Sequence, residues 1–383
     1  MIYLDHHATT PCDARVVETM LPWMTEKFGN PHSDHAMGRE ASEAIEQALQ
    51  TIADVIEAPV DSLIVTSGAT ESNNLAIRGA CLHPRQKKRH IVSVATEHPA
   101  VLDVLEDMRR DGFRVTLVSV GADGTVDLDH IARVIDDDTA MVSVMWANNE
   151  IGTINPIELI AELCHDRGVL LHSDATQTLG RIPVNVIGSD VDLTSFSAHK
   201  AYGPKGIGIL VAGNGNRRVR LRPQIVGGGQ QHNLRSGTLN PAAIIGMAKA
   251  FQLCKEELAA STDRINALRA QLWNKLSQKI TGLTLNGPAL DSSLRLPGNL
   301  NFSVPGIEGE TWLVATDDVA FSTGSACSNT KAEPSHVLRA IGLNESLARQ
   351  SVRFGIGRHN TEDEISLAVD RLVMSYEEIS PGR

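Results

Sequence analysis

The chain has 383 residues, of which 42% are hydrophobic and 21% are charged, as is ordinary for a soluble globular protein of two or three domains. This composition excludes disordered, collagen-like and low-complexity classes. Lys and Arg number 35 against 46 Asp and Glu, so the net charge is −11. A chain this acidic is not expected to bind nucleic acid directly through bulk charge.

The sequence carries no sign of a membrane segment or of export. No uncharged apolar run approaches the roughly 20 residues that span a bilayer, and the opening Met1–Asp5 lacks the basic and apolar parts of a signal peptide. The five cysteines are odd in number, far apart and without a Cys-x-x-Cys pair, which argues against disulfides and zinc ribbons. We therefore expect a cytoplasmic protein.

Strands and helices alternate through the first two thirds of the chain. Ile157, Ile160, Ala161 and Cys164 follow the spacing of one helix face, which makes Cys164 a predicted core residue. Short apolar runs between such helices predict buried parallel strands at Ser62–Ser67, His90–Val94, Val115–Ser119, Met141–Trp146, Leu170–Asp174, Asp192–Phe196 and Gly208–Val211. The fold class is therefore α/β, with a doubly wound, mostly parallel sheet.

The pattern changes after about Pro241. A long helix is predicted from there to roughly Lys279, with a polar middle that suits a bridge between domains. Mixed elements follow, and the closing helix begins with the capping box Thr361-x-x-Glu364. Further strand-like runs are Asn299–Val304, Val319–Ser322 and Ser351–Gly355. We predict a large α/β domain over 13–255 and a small α+β domain over 256–383, joined by segment 1–12.

The first motif with chemical meaning is Ser67-Gly68-Ala69-Thr70-Glu71, where a predicted strand turns into a helix. Free backbone N–H groups and the helix dipole at such a turn suit a phosphate ester, and Thr70 could add a hydroxyl donor. The alternative is a plain strand–helix turn in which Thr70 caps the helix.

The second motif is Ser197-Ala198-His199-Lys200, just past a predicted strand. A lysine in this position can be partly desolvated, which lowers its pKa and lets it form a Schiff base. Ser197 and His199 could hold a phosphate beside it. The alternative is a surface lysine in a turn rich in Gly and Pro.

The third motif is Asp174-Ala175-Thr176-Gln177, directly after the predicted strand Leu170–Asp174. A carboxylate at the carboxyl end of a parallel strand faces the ligand crevice. There it could keep a pyridine nitrogen protonated, as an electron-sink cofactor requires. The alternative is that Asp174 is a helix N-cap.

The fourth motif surrounds Cys327, which lies among the small residues of Gly324-Ser325-Ala326-Cys327-Ser328-Asn329. An accessible thiol in such a loop could act as a thiolate, and the alternative is a small buried hydrophobe. For the other four cysteines we expect only packing roles. No histidine lies in a recognised metal-ligand spacing, so we expect no metal site.

Together these motifs resemble the pyridoxal-phosphate (PLP) cysteine desulfurases of the NifS/IscS type, within the class V aminotransferases. The matching segments, in the order of that family, are Tyr3–Pro11, Gly68–Asn74, Thr96–His98, Asn148–Gly152, Asp174–Gln177, Ser197–Lys200, Arg235–Thr238, Gly324–Cys327 and Ser351–Phe354. The resemblance implies a fold-type I PLP enzyme that acts as a homodimer.

The resemblance also implies a role for each matching residue. Lys200 corresponds to the Schiff-base lysine, Asp174 to the partner of the ring nitrogen, and His98 to the histidine stacked on the ring. Arg353 corresponds to the arginine that holds the substrate carboxylate, and Cys327 to the thiol that accepts sulfur. The resemblance further implies that Gln177 contacts the ring hydroxyl and that the amide of Asn149 contacts both cofactor and substrate. The phosphate contacts that it implies are Thr70, Ser197, His199, the backbone of Ala69, and Thr238 from the partner subunit.

The implied reaction converts L-cysteine to L-alanine and leaves a persulfide on Cys327, with Lys200 and His98 as proton carriers. The sulfur acceptor would be an iron–sulfur scaffold or an enzyme of tRNA thiolation or DNA phosphorothioate modification. Because the sequence stops soon after its last predicted helix, without the scaffold-binding tail of the housekeeping enzymes, it favours the other acceptors over a housekeeping scaffold and leaves both open. The alternatives are a selenocysteine lyase, another class V enzyme, or a non-catalytic adaptor that kept the fold.

Overall fold

The computed structural model describes residues 1–323 and 333–380. Its strands are β1 Ile2–Tyr3, β2 Leu63–Thr66, β3 His90–Val94, β4 Arg114–Val118, β5 Thr139–Ser143, β6 Leu170–Asp174, β7 Leu193–Ser197, β8 Gly208–Ala212, β9 Thr284–Leu285, β10 Asn299–Ser303, β11 Val319–Ala320, β12 Ser322–Thr323 and β13 Ser351–Gly355.

The helices lie between these strands and cover the sheets. They are α1 Ala14–Met20, α2 Pro22–Thr25, α3 Ala36–Ile56, α4 Ala69–Cys81, α5 Pro99–Arg110, α6 Leu128–Val134, α7 Ile157–His165, α8 Pro241–Lys279, α9 Gly309–Ala315, α10 His336–Ala340, α11 Glu345–Arg349 and α12 Glu362–Ile379.

A seven-stranded sheet in the order β2-β8-β7-β6-β5-β3-β4 forms the centre of the described residues. All neighbouring strands in it are parallel except for the two pairs that include β8. The predicted α/β fold class with a mostly parallel sheet is confirmed. Strands β2, β3, β5 and β7 are buried along their whole length, which explains their continuous apolar sequences.

Helices close both faces of this sheet. Cys164 on α7 is fully buried in the core with its neighbours Ile157, Ile160 and Ala161, as the helical spacing predicted. Each face has its own apolar cluster, so the sheet is buried on both sides. The carboxyl ends of β6 and β7 are therefore fixed in position, and both end in residues of the second and third sequence motifs.

The last third of the chain builds a second sheet, in the antiparallel order β12-β13-β10-β9. Its core is aromatic: the rings of Phe302 and Phe354 stack with centroids 5.7 Å apart, and those of Phe321 and Phe354 stack at 4.9 Å. The N-terminal strand β1 pairs in parallel with β11 and packs on this second core.

Helix α8 runs through the predicted domain boundary at residue 256. Its first part, up to Cys254, packs in the core of the large sheet, and its part from Ile265 to Leu276 packs in the aromatic core. The division into 13–255 and 256–383 remains a prediction. The single strand predicted at Val319–Ser322 is wrong, because Val319–Ala320 pairs with β1 while Ser322–Thr323 pairs with β13. Across residues 1–323 and 333–380, no helix is both long enough and apolar enough to cross a membrane.

Trp312 provides a test of the second core. Its ring is fully buried against Phe321, and its indole Nε1 donates to Leu372 O at 3.0 Å. Trp312→Ala should lower the free energy of unfolding by about 3–5 kcal/mol, since it leaves a large cavity. Urea denaturation followed by circular dichroism measures this. Val314 is 80% exposed on the same helix, and Val314→Ala should change stability by less than about 0.5 kcal/mol. Equal losses in both variants would contradict this account of the core.

Candidate active site

A cavity of about 550 Å³ opens at the carboxyl ends of the parallel strands. The structure brings most of the predicted site residues to its wall. The predicted residues that line it are Ala69, Thr70, His98, Asn149, Asp174, Gln177, Ser197, His199 and Lys200. Five of the segments that resemble the family therefore meet at one place, as the carboxyl edge of a parallel sheet requires.

The turn before α4 forms one end of the cavity. Gly68 has φ of +149°, a backbone conformation that favours glycine, and it is the N-cap residue of α4 without a side-chain capping bond. Thr70 is therefore not the cap, so its hydroxyl is available to a ligand. Because the first N–H groups of a helix have no intrahelical acceptors, this turn is suited to bind an anion.

Lys200 ends a short 3-10 turn that follows β7. Its Nζ donates to His7 O at 2.8 Å and to Ala8 O at 2.7 Å. Burial, with help from the positive charges of Arg353 and Arg181, lowers the pKa of Lys200 to about 8. Lys200 is therefore not a free surface lysine, and its amine is not fully protonated near neutral pH.

Asp174 is the last residue of β6 and is 6% exposed. Its Oδ2 accepts from Asn73 Nδ2 at 2.7 Å, and its Oδ1 accepts from Thr176 N at 2.9 Å. The second bond closes a local turn, and no described helix begins at Asp174, so the alternative of a helix N-cap is wrong. The carboxylate is held rigidly at the cavity wall.

The N-terminal segment closes the side of the cavity next to Lys200. Gln177 Nε2 donates to His7 O at 3.0 Å, and its Oε1 lies 3.1 Å from Nδ1 of the buried His7 ring. Thr9 Oγ1 lies 3.1 Å from His199 Nδ1. The sequence analysis assigned no role to Ala8 and Thr9, which line the cavity. Both residues belong to the matching segment Tyr3–Pro11. The local sequence did not indicate that this segment lies against the end of the large sheet.

His98 is the N-cap residue of α5, and its Nδ1 accepts a hydrogen bond from Ala100 N at 3.1 Å. Burial lowers the pKa of His98, so the ring is neutral at pH 7. Since Nδ1 acts as an acceptor, the single ring proton of the neutral form lies on Nε2. His98 is therefore oriented by its own helix.

Glu97, next to His98, is a buried acid that sequence reasoning missed. Its Oε1 accepts from Met145 N at 2.5 Å, while its Oε2 has no hydrogen-bond partner within the described part of the chain. Burial and the nearby charge of Asp174 raise the pKa of Glu97 well above its usual value. Through its hydrogen bond to Met145 N, Glu97 ties the turn that carries His98 to the end of β5.

Arg353 lies on β13 and reaches toward the large sheet. Its Nη2 donates to Asp5 Oδ1 at 2.8 Å and to Ser322 Oγ at 2.7 Å, and its Nη1 donates to Asn149 O at 3.2 Å. Its Nε is buried without a partner among the described residues. The guanidinium is thus already paired with a carboxylate of the chain.

Two predicted residues of the described chain, Thr238 and Arg353, do not line the cavity. Thr238 is exposed and does not line the cavity. Arg235 of the same motif pairs with Glu71 of α4 at 2.8 Å, which fixes the motif close to the cavity. Cys327 lies outside the described residues. Lys205, which no motif singled out for chemistry, also lines the cavity.

The other thiols lie in surroundings that do not favour a thiolate. Burial raises the pKa of Cys81 and Cys164 to about 12 and that of Cys254 to about 11. Partial burial and the nearby Asp13 carboxylate also raise the pKa of Cys12. Across residues 1–323 and 333–380, no group of three or more His, Cys, Asp or Glu side chains is arranged to hold a metal ion.

Comparison with known proteins places this fold and cavity in a family. The family model described as aminotransferase class-V matches residues 2–367. The cysteine desulfurase IscS of Rickettsia prowazekii is 46% identical over 370 residues, which cover 96% of this chain and 89% of that protein.

Solved structures agree. One described as a NifS-like protein has a TM-score of 0.92 and 35% identity, with 99% of this chain and all of that chain covered. Another, SspA in complex with cysteine, has a TM-score of 0.81 and 31% identity, with 94% of this chain and all of that chain covered. The chain therefore belongs to the class V aminotransferase family of PLP-dependent enzymes and resembles, within it, the cysteine desulfurases.

Proposed function

We propose that this chain is a PLP-dependent cysteine desulfurase, which removes the sulfur of L-cysteine, releases L-alanine and passes the sulfur through Cys327 to an acceptor protein. The observation that carries the proposal is the convergence of Lys200, Asp174 and His98 on one cavity. The desulfurase relative and the neighbour solved with cysteine support the choice of substrate. They favour cysteine over selenocysteine and over an aminotransferase reaction.

The cavity fits PLP, with each part of that molecule matched by a suitable group of the chain. The Gly68 turn suits a phosphate ester, with Ser197 and His199 beside it. Asp174 offers a fixed negative charge for the ring nitrogen, and Lys200 offers the amine. A volume of about 550 Å³ leaves room for an amino acid next to the cofactor.

When bound, PLP supplies an electron sink for the negative charge that develops at the substrate Cα. Asp174 supports that role because Asn73 and the Thr176 N–H hold its carboxylate in place as an acceptor. With a pKa of about 8, Lys200 is neutral in roughly a tenth of molecules at pH 7. That neutral amine is the form of Lys200 that would hold the cofactor covalently and that could take the Cα proton.

His98 holds a proton at Nε2 while its Nδ1 stays bonded to Ala100 N. In this arrangement the ring donates a hydrogen bond into the cavity as a neutral imidazole rather than as a charged imidazolium. His98 orients the substrate through this hydrogen bond. It releases the proton on Nε2 only when another group returns a proton to the ring. Glu97 contributes indirectly, since it fixes the turn in which His98 lies.

Arg353 binds the substrate carboxylate by exchange. At present Asp5 occupies Nη2, while Nε is buried and unpaired within residues 1–323 and 333–380. An incoming carboxylate replaces Asp5 at Nη2 and takes a second bond from Nε, which forms a two-bond fork. Since one carboxylate replaces another, Arg353 stays paired throughout, and the displaced Asp5 keeps the hydrogen bond from Ser322 Oγ at 2.9 Å.

Cys327 is the proposed nucleophile because a thiolate is required and the other four thiols have raised pKa values. The thiolate attacks the substrate sulfur, so an S–S bond forms and the C–S bond breaks. The electron pair of the C–S bond stays with the amino-acid fragment, which takes up a proton to become alanine. Cys327 keeps the sulfur as a persulfide.

The proposal includes a cytoplasmic homodimer and a separate acceptor protein. Thr238 is exposed in the chain, so it is free to reach the phosphate site of a partner subunit. Large apolar side chains close to Thr238 in the sequence, and others near the N-terminal helices, are also exposed. An interface between two copies of the chain would bury such side chains. These residues are Leu21, Met24, Phe28, Ile225 and Val226. The acceptor is an iron–sulfur scaffold or a thio-modification enzyme.

Lys200→Ala should abolish sulfide release from cysteine and remove the visible absorbance of the lysine-bound cofactor. The matched control is Lys205→Ala, because Lys205 lines the same cavity. At saturating cofactor this control should keep the visible band. Normal turnover in Lys200→Ala would contradict the assignment.

Cys327→Ser should bind PLP and cysteine with unchanged spectra but release no sulfide, since no thiolate is present to accept the sulfur. Mass spectrometry after a cysteine pulse without reductant should find one added sulfur on the Cys327 peptide of the wild type. Cys12→Ser, at the least buried of the other thiols, should keep full sulfide release. Sulfur found on another cysteine would overturn the mechanism.

Gly208→Ala should weaken PLP binding by at least about tenfold. A Cβ at residue 208 would lie 2.5 Å from Phe196 O and 2.7 Å from Gly68 Cα, so the anion-binding turn must shift. Gly112→Ala is the control, since Gly112 has φ of +85° but no neighbour within 4 Å of the added atom. The control carries only backbone strain, and its PLP affinity should equal that of the wild type. Cofactor titration followed by absorbance compares the two variants.

A further inference from the structure

A second cavity, of about 820 Å³, lies between the middle of α8, the segment 290–297 and the segment 181–183. It shares no lining residue with the active-site cavity. Three arginines line it, namely Arg181, Arg269 and Arg295, and they are 8%, 6% and 3% exposed. Three buried guanidinium groups around one cavity need interaction partners for their positive charges.

None of the three arginines has a carboxylate within 4 Å among the described residues. Their hydrogen bonds go to neutral groups instead: Arg269 donates to Leu290 O at 2.5 Å and Leu296 O at 3.3 Å. Arg295 donates to Asn299 Oδ1 at 2.9 Å and Pro288 O at 2.7 Å. Two acids also line the cavity, Asp263 and Asp291, but both are exposed and neither pairs with these arginines.

The positive charge of the cavity is therefore uncompensated by the described part of the chain. Arg269 Nε is buried without any hydrogen-bond partner there. Burial, with the charge of Arg269, lowers the pKa of Arg295 to about 9, which shows that the two guanidinium groups act on each other. A buried unsatisfied donor beside a cavity is a place where an ion or small molecule is expected.

We propose that this cavity binds a small oxyanion, a carboxylate or phosphate group, held by Arg269 with Arg181 and Arg295 around it. Guanidinium groups bind such anions through charge-assisted hydrogen bonds. The hydroxyl-bearing Thr262 and Ser293 line the same cavity, so a ligand with further polar groups also fits. The proposal does not depend on the desulfurase activity.

Arg181 connects this site with the first cavity. Its Nη1 donates to Lys200 O at 3.2 Å and its Nη2 to His6 O at 2.8 Å. Only Arg181 therefore separates an anion bound beside it from the backbone carbonyl of Lys200. Arg181 lines only the second cavity, but it contacts the backbone of Lys200, which lines the first.

The test is calorimetric titration of the PLP-bound protein in a low-salt buffer, so that the phosphate position of the first cavity is already filled. Inorganic phosphate and succinate are the two probes, and sodium chloride at matched ionic strength is the control. Saturable binding of phosphate alone assigns a phosphate ligand, and binding of succinate alone assigns a carboxylate ligand. Saturable binding of neither probe overturns the proposal.

Two pairs of variants locate the binding. Arg269→Met should weaken it at least about tenfold through loss of a charge-assisted hydrogen bond. Arg264→Met is its control, because Arg264 also lies on α8 and also donates to two backbone carbonyls, Arg358 O and Asn360 O, but does not line the cavity. Equal affinity in Arg269→Met and the wild type would overturn the assignment.

The second pair leaves the arginines in place. Ser293→Asp adds a negative charge at an exposed position of the cavity wall and should also reduce the affinity about tenfold or more. Ser277→Asp adds the same charge on α8 at an exposed position outside the cavity and should not. This comparison holds even if Arg269→Met fails to fold, and equal effects of both aspartates would overturn the proposal.

Discussion

The interaction on which the site depends is the passage of the N-terminal segment across the end of the large sheet. The carbonyls of His7 and Ala8 hold Lys200 Nζ, and Asp5 holds Arg353. Strand β1 fixes the start of this segment against β11 in the second sheet. A short turn after β1 therefore sets the positions of the amine and the guanidinium, which come from different parts of the fold.

Local sequence predicted what local physics decides. The strand Leu170–Asp174, the helix from Pro241 and the capping box of Thr361 and Glu364 all occur as predicted, because each depends on near neighbours. The convergence of motifs at the carboxyl edge also followed, since parallel strands must end together. The role of the segment Tyr3–Pro11 as a cavity wall came only with the structure, because its partners lie more than 160 residues away.

Where prediction failed, a long-range partner decided the outcome. Val319–Ser322 reads as one apolar strand, but the chain changes partner within it, from β1 to β13. The role of Arg353 at the substrate carboxylate stays a prediction, and its pairing with Asp5 could not be seen from either residue's surroundings in the sequence. Glu97 and Arg181 were missed for the same reason, since their pKa shifts come mainly from burial and from charges that the fold brings close to them.

The electrostatics of Lys200 combine opposite demands. The amine must be partly neutral to react, and burial beside Arg353 and Arg181 achieves this. Asp174 and Asp5 act in the other direction and raise its pKa, so the amine does not lose its proton entirely. Because Asp5 pairs with Arg353, a substrate carboxylate must compete with Asp5 for that guanidinium. Asp5 stays in the site when it is displaced, so the substrate adds a negative charge near Lys200 and favours the protonated form of the amine.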